Sequence, residues 1–147
     1  MAQNLTTRQD TVALLPLLYQ NAEAAIASIR KANLTGVLVR HASQLEAALD
    51  ERNPGKAAIA VEGLSAHYPR MERDAVASKI WADNWLDDTE HLPPIVIEQA
   101  CKEWRRSTER WMPTPGQLLE KAERIHALRL AELRRCNELV SILQGEE

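Results

Sequence analysis

Phenylalanine is absent from the chain, glycine occurs five times in 147 residues, and cysteine only twice. So little glycine argues against a many-turned β fold, in which tight turns recur between short strands. The cysteines, Cys101 and Cys136, are too few and too far apart for a disulfide framework or a zinc site. Both fall in helical apolar patterns, where a free cysteine behaves as a small hydrophobe. No run approaches the length of a membrane span, and the apolar stretch 12–18 is short and broken by Pro16. Neither a signal peptide nor a membrane anchor is expected, and a reducing cytoplasm is the default compartment.

The usual signs of catalysis are missing too. Pro54-Gly55-Lys56-Ala57 lacks the upstream glycine and the hydroxyl residue of a phosphate-binding loop, and reads as helix punctuation. Asp87, Asp88, Glu90 and His91 lack the glycine and spacing of a calcium loop, and read as a solvated acidic turn. His41, His67, His91 and His126 show no paired HxxxH or HxH spacing. No serine lies in a Gly-x-Ser-x-Gly turn. The expectation is a protein that binds: not an enzyme, with no cofactor and no metal.

What is present is helical. Hydrophobic residues make up 45% and charged residues 27%, as in a soluble globular protein. Alanine and leucine supply most of the apolar mass and favour helix over strand. The expected class is all-α: a small multi-helix domain with a long C-terminal helix.

Residues 5–31 read as one helix or two, capped by Thr7 or Asp10 and started or kinked at Pro16. Asn33-Leu34-Thr35-Gly36 breaks the chain before a helix on Leu38, His41, Leu45, Ala48 and Leu49. Residues 56–67 form a third helix, with Ile59, Gly63 and Leu64 toward the core. Residues 70–86 form a fourth, whose Val76, Ala77, Ile80, Trp81 and Trp85 make a broad apolar face. A fifth starts at Leu92-Pro93-Pro94 and buries Ile97, Ala100, Cys101 and Trp104. The last has the clearest start: Thr114, Pro115 and Gln117 form a Thr-x-x-Gln capping box. Nothing breaks it before Gln144.

Its apolar set changes partway, from Leu118, Leu119, Ala122 and Ile125 to a stripe of Leu133, Cys136, Val140 and Leu143. That second stripe either folds back on the N-terminal helices or pairs with another chain as an amphipathic helix. The division expected is an N-terminal helical arm at 1–35, a core domain at 36–126 and a C-terminal extension at 127–147.

Charge is uneven. The net is −3, yet residues 101–135 hold nine basic against five acidic side chains. Arg105, Arg106 and Arg110 are a candidate strip for a nucleic acid backbone, or simply a solvated surface. Trp81, Trp85 and Trp104 are expected in the core, and Trp111 as a plug between helices.

Residues 64–119 hold all four tryptophans and five of the seven prolines. In order they give Tyr68-Pro69, a tryptophan helix with an acidic end (Trp81 to Asp88), and a short helix centred on Ala100. A Trp111-x-Pro113-x-Pro115 lead into the last helix closes the set. This stretch resembles the helical domain of the replicative helicase loader/inhibitor family of double-stranded DNA phages and prophages. It covers about fifty-five residues; the chain differs in its sixty preceding residues and in its regular C-terminal helix.

The resemblance implies a non-enzymatic replication accessory protein whose partner is the replicative DNA helicase. Single-stranded DNA or an origin-binding protein would stand nearby. On that reading the C-terminal arm docks on the helicase, through Leu133, Val140 and Leu143 for apolar area and Arg129, Arg134 and Arg135 for charge. Two rivals are a DNA-binding accessory protein and a self-assembling phage inhibitory or structural protein forming a homo-oligomer through the same stripe.

Overall fold

The computed structural model describes residues 8–69 and 72–145. Seven helices and no strand occur among them: α1 (Arg8–Leu18), α2 (Ala22–Lys31), α3 (Thr35–Asp50), α4 (Pro54–Ser65), α5 (Ala75–Thr89), α6 (Pro94–Arg105) and α7 (Pro115–Gly145). The expected cap at Thr7, the start at Leu5 and the Arg70 helix start lie outside the described residues.

Local chemistry sets most boundaries. The first segment splits at residues 19–21, after Pro16, because the Asn21 side chain caps α2 by accepting from Ala24 N–H at 2.9 Å. α2 ends in a left-handed residue, Asn33, with φ 57°. Asn33 N–H reaches the Arg30 carbonyl at 3.0 Å and Leu34 N–H the Ile29 carbonyl at 2.9 Å. That pair of bonds is a Schellman motif, in which asparagine replaces the usual glycine. Asn53 and Asp74 cap α4 and α5. The Asp74 cap, 2.7 Å from Ala77 N–H, starts α5 at Ala75 rather than near residue 70.

α7 begins as its sequence dictates. Gln117 N–H donates to Thr114 Oγ1 at 3.3 Å, while Thr114 N–H donates to Gln117 Oε1 at 3.0 Å. Its 31 residues span roughly 46 Å at 1.5 Å per residue.

The chain divides into two compact units, one of residues 48–128 and one of residues 1–47 with 129–147. The expected arms are therefore not separate. The N-terminal helices and the C-terminal part of α7 share a core of Leu14, Leu18, Ala25, Ile26, Ile29, Leu38, Cys136, Leu139 and Leu143. Ala25 of α2 is fully buried in that core.

In the 48–128 unit α4 packs on both α5 and α6. Its buried side chains include Ala57, Val61 and Leu64 of α4, Trp85 of α5, Val96, Ile97 and Ala100 of α6, and Leu118, Ala122 and Ile125 of α7. Two expected core faces are turned outward. Ile59 is 73% exposed because α4 buries the row Ala57, Val61, Leu64 instead, and Gly63 is exposed with it. On α5, Val76 is 69% and Ile80 56% exposed, and Ala77 is exposed too, while Trp85 goes inside.

Candidate functional site

The stripe expected to dock on a partner is occupied within the chain. Leu143 is buried, and Leu133 and Val140 pack half-buried against the core formed with α1, α2 and α3. The arginines there are largely engaged as well. Arg135 donates to the carbonyl oxygens of Leu18 at 3.0 Å and Gln20 at 2.6 Å, and pairs with Glu138 at 2.8 Å. It thereby satisfies acceptors left open where α1 ends. Arg129 pairs with Glu132 at 3.0 Å, and of the three only Arg134 is exposed. The sequence left fold-back and partner pairing open; the structure has the fold-back form.

Glu132 is the polar centre of this unit. Its side chain is 7% exposed and lies 2.7 Å from His41 Nε2. Burial pushes the Glu132 carboxyl up, but the hydrogen bond from His41 and the charge of Arg129 outweigh it and hold the group below its ordinary value. Burial drives both thiols up, Cys101 to about 12 and Cys136 to about 11, which leaves neither poised as a nucleophile.

In the 48–128 unit, Arg105, Arg106 and Arg110 are all exposed and make no ion pair among the described residues. Arg105 lies in the last turn of α6, where a cation suits the helix dipole. A shallow hollow of about 430 Å³ lined by Trp104, Glu109, Gln117, Glu120, Lys121 and Arg124 carries both signs of charge. Lys121 there is 3.6 Å from Glu103. Among the described residues no group of three or more His, Cys, Asp or Glu side chains is placed to hold a metal ion. Burial, with the charges of Arg52 and His91, lowers the pKa of His126.

A second, larger cleft of about 530 Å³ lies within the same unit. Tyr68 and Pro69 follow α4, Arg73 precedes α5, Trp81 lies on α5, and Trp111 and Met112 come from the segment before α7. The Arg73 guanidinium sits 4.5 Å over the Trp81 ring, and the Trp81 and Trp85 centroids are 5.9 Å apart. Trp111 is not a plug between helices. It is 72% exposed, and its backbone is pinned by the Trp104 indole N–H, which donates to the Trp111 carbonyl at 3.0 Å.

Sequence reasoning placed Trp81 in the core and missed the cleft. The available signal was the crowding of Tyr68-Pro69 and Trp111-Met112-Pro113 at helix ends, where prolines keep bulky rings off any helix face. Among the described residues no helix is long and apolar enough to cross a membrane. Neither a family model, nor a curated protein, nor a solved structure matches this chain.

Proposed function

We propose that the chain is a phage or prophage DNA-replication accessory protein that binds the replicative DNA helicase as a loader or inhibitor adaptor, in the cytoplasm of the host. The reading starts from the resemblance across residues 64–119. The observation that carries it is the cleft of Tyr68, Trp81 and Trp111, which lies in that same stretch. Trp111 is open to solvent there and Tyr68 and Trp81 are half-buried, and large aromatic side chains of this kind are the residues on which protein interfaces most depend. Exposed Ile59, Val76 and Ile80 add apolar area in the same unit. Docking thus moves from the end of α7 to the 48–128 unit.

The test is capture of the replicative helicase by the tagged full chain, after nuclease treatment, with Trp111→Ala and Leu133→Ala variants alongside. Helicase retained by the parent and by Leu133→Ala, but lost with Trp111→Ala, is the expected result. Helicase no more abundant than in an untagged control would sink the reading.

The exposed Arg105, Arg106 and Arg110 favour a second reading, direct contact with single-stranded DNA. Three phosphate contacts would give a salt slope of roughly −2 in log K against log salt. Binding that ignores salt would remove it.

A further inference from the structure

The cleft combines rings with polar side chains: Tyr68, Trp81, Trp111 and Met112 line it beside Arg73, Glu62, Ser65 and Ser78. The Tyr68 hydroxyl and the indole N–H groups of Trp81 and Trp111 have no hydrogen-bond partner among the described residues. Arg73 stacks on Trp81 and makes no ion pair there. The one carboxylate of the lining, Glu62, takes the Ser65 hydroxyl at 3.3 Å.

A ligand that complements these rings offers flat apolar faces, with acceptors for the indole, hydroxyl and guanidinium donors beside them. Proline-bearing extended peptide has that chemistry. Its prolines carry no N–H, its carbonyls form no internal hydrogen bonds, and its rings stack on tyrosine and tryptophan. Such a segment is already stiff, so little conformational entropy is lost on binding. A nucleic acid strand could stack on the same rings, but its phosphates need a basic groove. Arg73 is the one cation among the described lining residues, which suits a single carboxylate rather than a run of phosphates.

We infer that the cleft takes an extended, proline-bearing peptide segment of a partner protein, with an acidic residue beside the prolines set against Arg73. The inference deepens the adaptor reading and rests on it only for the partner being a protein.

The experiment uses the full chain with nitrogen-15 label in its tryptophan indoles. Three probes are titrated: a synthetic peptide of two Pro-Pro pairs followed by Asp, the same peptide with alanine for proline, and an oligothymidylate. The Trp81 and Trp111 indole signals should move with the proline peptide while buried Trp85 stays in place. Trp111→Ala and Arg73→Gln should each weaken that binding about tenfold or more. Both side chains are exposed, so the fold is retained in either variant.

An equal response to the alanine peptide, a response to oligothymidylate alone, or unchanged affinity in Trp111→Ala would overturn the inference. Peptide binding with helicase capture unaffected by Trp111→Ala leaves the cleft standing and removes the helicase from it. Helicase capture with no indole response to peptide removes the cleft alone.

Discussion

The Arg135 guanidinium donates to the Leu18 carbonyl oxygen at 3.0 Å, across 117 positions of sequence. With its second bond, to Gln20, it closes the turn between α1 and α2 from the side of α7. Arg135→Ala leaves both carbonyls short of a partner, and should lower stability by about 1–3 kcal/mol in urea denaturation. Lysine can reach one carbonyl but not fork to two, so Arg135→Lys should recover part of the loss. Equal midpoints for the parent and Arg135→Ala would mean that the bonds are made by water equally well.

Leu139 is fully buried in the core shared by α7 and the N-terminal helices, while Leu128, on the same helix, is 65% exposed. Leu139→Ala should cost about 2–5 kcal/mol, and Leu128→Ala close to nothing. Similar costs for the two would contradict the fold-back of α7. Chemical denaturation followed by circular dichroism reads both.

How much was legible follows from which forces are local. The Thr114–Gln117 box was readable because cap and helix lie within four residues, and α7 starts where the box places it. Asn33 marked a break for the same reason, its short polar side chain tolerating a left-handed backbone. The periodicity of Leu133, Cys136, Val140 and Leu143 was also readable, but not what covers it. Leu139, fully buried, was missed beside them. A stripe has the same spacing whether its cover is the chain's own α1 and α2 or a second protein. α4 and α5 failed differently. Each carries more than one apolar row, and Ala57, Val61 and Leu64 were chosen over Ile59 by what α6 and α5 presented. The cleft draws its rings from three segments, so no single helix period displays them together, and only the crowding of Tyr68 and Trp111 beside prolines at helix ends pointed to it.

The α7 cap gives a prediction of its own. Thr114→Ala removes the acceptor for Gln117 N–H and should cost about 1 kcal/mol. Thr114→Ser should be close to neutral, since it keeps the oxygen. Thermal melts of the three proteins at one pH decide it, and an unshifted Thr114→Ala melt would show the first turn held by its contacts alone.

Neither cysteine should react with a thiol reagent in the native protein at neutral pH. Burial keeps Cys101 near 12 and Cys136 near 11, so almost no thiolate is present at either. Full reaction is expected only after unfolding in denaturant. Fast native labelling of Cys136 would mean that α7 opens away from its core on the timescale of the reagent.

Glu132 makes the acid limb of the stability curve specific. Its carboxyl is held below the ordinary value of 4.5 by His41 and Arg129 despite burial, so the unfolded chain binds the proton more readily than the native one. Stability from this group is therefore fully present above 4.5 and is lost as pH falls through the lower, native pKa. Glu132→Gln keeps an oxygen for His41 but has no charge to titrate. It should be less stable than the parent by about 1–3 kcal/mol at neutral pH, because the charge-assisted bonds are gone. The gap should narrow as pH drops below 4.5, since protonation brings the parent to the same neutral state. Urea midpoints at a series of pH values measure the gap directly. A constant difference from neutral to strongly acid pH would mean that the Glu132 charge contributes nothing, and that the loss in the variant is one of shape.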